Sequence, residues 1–340
     1  MKMPGRRARL RNNSVVLLGA LLWSVAVSPS VLCQIAPLPV AATGGADHVV
    51  TIFDSAGKET RHFLAHDAPI TCLAFSPDGR RLYTGGDDKT IRVWTVEDAS
   101  LDNTMEAHDK AVTCLAVSPD GKILASGGAD SLVRFWNPMT GRLMLTIRAH
   151  SQAVRAVAWS PDGKMLASAG ADRLVQIWRA DGSAVGSMVG HDEAVLAVAW
   201  SQDSATVSSC SSDGVMRVWR VGDMSVVQRY RSPDKQLSAV ALARDGQTAV
   251  TLSRDGRLRV VALGAAAAPS EVANGPGDRA TVGIAVGPEG KVIVRGGPDR
   301  TVTYCGRDLS ILIRVQAHEG AIPAVALLYP PAKSGEGGAR

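Results

Sequence analysis

Aromatic side chains are scarce: the 340 residues hold seven Trp, four Tyr and four Phe, about 4% of the chain. Stacking of bases or sugars needs several exposed rings, and few remain for it here. Cysteine is as thin, with only Cys33, Cys72, Cys114, Cys210 and Cys305. Five such residues make no disulfide framework, and their spacings match no zinc-ligand pattern. An excess of one charge is also missing from the body of the protein. The formal net charge is +5, from 37 Lys and Arg against 32 Asp and Glu, but Lys2, Arg6, Arg7, Arg9 and Arg11 all precede the first acid, Asp47. Beyond that point bases and acids balance, so the totals indicate no broad basic face for nucleic acid. What is present is apolar: 46% hydrophobic residues suffice for a sizeable core.

Residues 1–14 are basic and polar, and an uncharged apolar run, VVLLGALLWSVAV, follows over residues 15–27. That layout is expected of a signal peptide or signal anchor within residues 1–33. The run is shorter than the ~20 residues of a spanning helix. Its positive flank stays inside and the remainder is exported, to the periplasm or the extracellular space. Membrane contact is expected only through an uncleaved anchor. Together with the Ala- and Gly-rich composition, the layout points to a bacterial exported protein.

Self-comparison decides the fold. HDAPITCLAFSPDGRRLYTGGDDKTIRVW (66–94) recurs as HDKAVTCLAVSPDGKILASGGADSLVRFW (108–136), HSQAVRAVAWSPDGKMLASAGADRLVQIW (150–178) and HDEAVLAVAWSQDSATVSSCSSDGVMRVW (191–219). Two eroded copies occupy 233–261 and 277–305, and a further fragment begins at His318. A unit of this period, with short β-branched runs divided by SPDG and Gly-Asp turns, reads as four strands, that is, one propeller blade. Residues 43–53 align with 84–94 and lack a first strand, whereas 321–330 align with a first strand alone. Paired, they complete a seventh blade and close the ring, which removes exposed sheet edges. The expectation is an all-β, seven-bladed propeller of four-stranded antiparallel blades over residues 34–330, followed by a disordered tail, 331–340. The insert 264–279 reads as a surface loop.

With Trp closing the third strand and His preceding the first, the units resemble WD40 repeats. The Asp that follows this Trp in the family is replaced by Thr95, Asn137, Arg179 and Arg220.

Four sets look catalytic by residue type: His66, Thr84, Asp88, Trp94; His108, Ser126, Asp130, Trp136; His150, Ser168, Asp172, Trp178; and His191, Ser209, Asp213, Trp219. A nucleophile is needed once, not four times. The resemblance implies that each set is a buried hydrogen-bond chain tying the third strand to the loop before the first. Satisfied in this way, buried polar groups hold strand register instead of costing stability. The sets erode in the later copies: the fifth keeps only Thr251 and Asp255, and the sixth keeps Asp299.

The resemblance also implies a platform for a protein or peptide partner, with no cofactor and no metal. Its partner is expected on the face built by the loops before the first strand and between the second and third. Charged positions there are Asp87, Lys110, Arg155, Asp192, Glu193, Lys235, Arg254 and Arg279. The alternative is an exported propeller enzyme, a quinoprotein or a lactonase-like hydrolase with its active site on the channel face. That alternative needs unique convergent polar groups, and the repeat already accounts for nearly every charged candidate.

Overall fold

The computed structural model describes residues 40–232, 237–242, 248–253, 257–262, 283–286, 292–297, 299–306 and 311–328. Residues 1–33, the insert 264–279, the tail 331–340 and the individual positions Lys235, Arg254, Asp255 and Arg279 lie outside the described residues.

The strands form seven antiparallel sheets. Blade one runs Ile70–Phe75, Arg81–Gly86, Thr90–Thr95 and Leu101–Glu106, each strand pairing with the one before it. Its first hairpin is set by Ser76-Pro77-Asp78-Gly79. The Ser76 hydroxyl accepts from Arg81 N–H at 2.9 Å, and Gly79 takes φ 72°, a left-handed angle that costs glycine nothing. Blades two, three, four and six repeat the four-stranded pattern, and blade five shows its first three strands among the described residues. In blade seven, Ala324–Leu328 pairs with Val40–Gly44, placing Val325 opposite Thr43, and Val49–Phe53 and Glu59–Leu64 follow outward. The ring closes through chain termini paired as the repeat alignment requires.

First strands of neighbouring blades lie against one another all the way round, so they form the innermost ring. The core is therefore divided among the seams. Between blades two and three, Cys114, Ala125 and Phe135 pack with Val154, Trp159, Leu166 and Trp178. Between blades three and four, Ala167, Val175 and Ile177 pack with Val198, Trp200 and Trp219. Each Trp that closes a third strand thus projects into the seam with the preceding blade. Trp159 and Trp200, which end first strands, donate their indole N–H back across the seam to Ala116 O (3.2 Å) and Ala158 O (2.9 Å).

Near the axis these seams leave little room, and the cross-strand pairs share it out. Cys72 faces Gly85 and Cys114 faces Gly127; Ala156 faces Ala169; Ala197 faces Cys210. A cysteine on one strand is met by glycine or alanine on the other, and in blade three both are alanine. A Cβ on Gly127 would stand 2.5 Å from Cys114 Sγ and 2.6 Å from Val154 Cγ1. Burial pushes the thiols of Cys114 and Cys210 up to about 12, so at neutral pH they are small apolar fillers without nucleophilic character.

Gly127→Ala alone is expected to destabilise the fold by about 1–3 kcal/mol through overpacking. Adding Cys114→Ala recreates the Ala156–Ala169 pair of blade three and should recover at least ~0.5 kcal/mol beyond the sum of the single changes. Urea denaturation of the four proteins measures this coupling; strictly additive changes would contradict the shared-volume account.

Candidate functional site

The polar quartets come together at the upper face, which carries the loops before each first strand and those between the second and third strands. In blade two, the Trp136 indole N–H donates to Ser126 Oγ (2.9 Å), and the Ser126 hydroxyl lies 2.8 Å from His108 Nε2. His108 Nδ1 lies 2.9 Å from Asp130 Oδ1. An indole only donates and a carboxylate only accepts, so the protons are ordered along the chain. Nδ1–H donates to the aspartate, and the hydroxyl donates to Nε2.

Blades one, three and four contain the same relay. The hydroxyl–Nε2 distances are 2.6 Å for Thr84–His66, 2.9 Å for Ser168–His150 and 2.7 Å for Ser209–His191. The Nδ1–carboxylate distances are 2.8 Å to Asp88, 2.9 Å to Asp172 and 3.0 Å to Asp213. Trp94, Trp178 and Trp219 supply the indole donors. Blade seven forms it across the ring closure: Thr43 Oγ1 lies 2.8 Å from His318 Nε2, and His318 Nδ1 lies 3.0 Å from Asp47, with Phe53 in the place of Trp.

Each aspartate does a second task that spacing alone does not disclose. Asp130 accepts the backbone N–H of Asp109 (3.2 Å), in the loop before the first strand, and that of Leu132 (3.2 Å), at the start of the third. One carboxylate therefore pins both upper loops of its blade. In blades two and four a guanidinium adds to it, Arg134 to Asp130 (3.3 Å) and Arg217 to Asp213 (2.9 Å).

Where the quartet has eroded, the polar groups are redirected or orphaned. Asp299 in blade six accepts from Thr301, N–H at 3.2 Å and hydroxyl at 2.8 Å, within its own turn. Thr251 in blade five has lost both His and Trp, and its buried Oγ1 has no hydrogen-bond partner among the described residues.

The electrostatics follow from burial. Desolvation is the largest influence on His66, His108, His150, His191 and His318 and lowers all five from their ordinary value of 6.5, so the imidazoles are neutral at pH 7. For Asp47, Asp88, Asp130 and Asp213 burial works the other way. The hydrogen bonds from the facing histidine and from backbone N–H groups outweigh it and hold these carboxyls below their usual range. No imidazole side chain of the five is open to solvent.

Of the charged positions expected to meet a partner, Asp87, Lys110, Arg155, Asp192 and Glu193 are exposed at the upper face. None of them makes an ion pair among the described residues, whereas Asp67 is held by Arg92. A cleft of about 520 Å³ on the lower face escaped the sequence reading. Its Arg81, Tyr83 and Asp102 stand where blade two has Ile123, Ala125 and Met144. That departure from the repeat was the available signal. Within the cleft Asp102 is satisfied internally, by Arg81 Nε and Thr95 Oγ1, each at 3.1 Å.

With this geometry in hand, comparison with known proteins is specific. The WD domain, G-beta repeat family matches residues 57–95, 100–137, 141–179 and 182–220. These four units are WD40 repeats. Among curated proteins, the chain is similar to the U5 small nuclear ribonucleoprotein 40 kDa protein of Dictyostelium discoideum, at 40% identity over 58 residues, 17% of this chain and 16% of that one. It is also similar to the nuclear distribution protein PAC1-1 of Uncinocarpus reesii, at 38% identity over 66 residues, 19% and 15% of the two chains. The match thus spans about a sixth of the length of these relatives. The solved structure of U3-55K superposes with a TM-score of 0.68 at 23% identity, covering 76% of this chain and 85% of that one, which is a likeness of fold.

The depressed histidines make the ring acid-sensitive. Below about pH 6.5 the unfolded chain binds protons that the native relays exclude, so stability rises with pH across that range. The depressed aspartates add the same sign below about pH 4. The thermal midpoint is expected to stay level from pH 8 to 7 and to fall progressively from about pH 6.5 downward; a midpoint unchanged at pH 5 would rule out buried neutral imidazoles.

Proposed function

We propose that this chain is a non-catalytic WD40 scaffold that docks a protein or peptide partner on its upper face. The observation that carries this reading is the use of the would-be catalytic groups. Every His–hydroxyl–Asp set is buried, fully hydrogen-bonded and repeated around the ring, so the relays act as struts and present no nucleophile to a substrate. What they hold in place is a rigid rim whose charges, Asp87, Lys110, Arg155, Asp192 and Glu193, are left unpaired for another molecule. Complementary charge on a preorganised surface supplies specificity and association rate. Lys235, Arg254 and Arg279 belong to the same proposed rim by their place in the repeat.

We also propose that the scaffold is exported in the bacterial manner and works in the periplasm or outside the cell. The basic segment and 13-residue apolar run over residues 1–27 support this. Residues 1–33 fused to a phosphatase that is active only after export should give an active reporter. An inactive, cytoplasmic fusion would refute export.

The triple change Arg155→Ala, Asp192→Ala, Glu193→Ala is expected to remove partner capture in affinity purification by at least tenfold while leaving the thermal midpoint at the wild-type value. Undiminished recovery of the same partners would reject the upper face as the docking surface.

A further inference from the structure

The repeats supply their own reference for what each position does when it is only structural. The second residue of the first strand is Thr71 in blade one and Thr113 in blade two, and the strand bulges at both. The Thr113 hydroxyl reaches Gly127 O (2.9 Å) in its own blade and Val154 O (2.7 Å) in the next; Thr71 reaches Gly85 O (3.0 Å) and Val112 O in the same way. These threonines close the seams. Blade three bulges at the same place but carries Arg155 there. Arg155 is exposed and its side chain makes no hydrogen bond or ion pair among the described residues, so the seam-closing bond has been given up for a free guanidinium.

Its surroundings are sorted by sign. The seven first strands contain no other charged residue. The upper loops of blade three expose Ser151, Gln152 and Arg173 and no acid, while those of blade four expose Asp192 and Glu193 and no base. Arg173 donates a hydrogen bond to the backbone Asp192 O of blade four, at 3.4 Å. Two cations and two anions thus adjoin one seam, with no ion pair between them among the described residues.

We infer that the partner's docking segment carries an acidic side chain that lies over blade three, on Arg155 and Arg173, and a basic side chain that lies over blade four, on Asp192 and Glu193. This rests on the upper face being the docking face. A guanidinium takes a carboxylate through two parallel N–H···O bonds, and the reversed sign on the adjoining blade sets the direction in which the segment lies.

The test is selection of a random peptide display library on the full-length protein, with binding then measured on variants whose melting matches wild type. Peptides containing both an acid and a base should emerge. Their affinity should fall about tenfold or more on Arg155→Glu with Arg173→Glu, and should recover when the peptide's acid is exchanged for lysine. Peptides that require the upper face, being lost on the triple alanine variant, yet lack an acid or bind the reversed-charge variant as well as wild type, overturn the charge rule and leave the docking face standing. Enrichment of nothing, or only of peptides indifferent to the triple variant, overturns both.

Discussion

A four-stranded blade has two apolar faces and no helix to cover them, so neighbouring blades must do it. Everything else in this molecule depends on that constraint. Each seam is a separate small core, closed in blades one to four by the third-strand Trp, and the free energy of burial is gained blade by blade through nearest neighbours. An open row of such blades would leave an apolar face uncovered at either end. Pairing Ala324–Leu328 with Val40–Gly44 removes both ends at once.

Seam packing holds the blades but does not hold the loops at their rims, and here the polar relays matter. Running from hydroxyl to imidazole to carboxylate, and headed by an indole in blades one to four, each ends on an aspartate that accepts backbone N–H groups from both upper loops. In a low-dielectric site such a chain is stable only if every donor meets an acceptor, which is why the imidazoles stay neutral. The same residues in an open cleft would make a hydrolase triad; five-fold repetition and burial give them another character. Thr251 shows the alternative, a buried hydroxyl left over when its partners were lost, and the desolvation cost of such a group is about 1–3 kcal/mol.

Repetition also separates fabric from function. A residue that recurs in register serves the blade, so the informative positions are those where one blade departs. Arg155 departs from the seam-closing threonines of the first strands. Arg81 and Asp102 depart from apolar residues on the lower face and satisfy each other there. The first departure leaves charge unspent and the second does not, and only coordinates separate the two cases.

The sequence by itself determined the period, the four strands of each blade, the membership of the quartets, the blade count and the shared closing blade. These are properties of local alternation and of exact recurrence, and neither needs knowledge of what lies across a seam. Tertiary structure alone decided the bulge at Thr71, Thr113 and Arg155, the exchange of volume between Cys114 and Gly127, the second duty of each aspartate and which of the described surface charges pair. Those depend on distances between residues from different strands and different blades, set by how tightly the sheets close around the axis, and a one-dimensional pattern carries no measure of that.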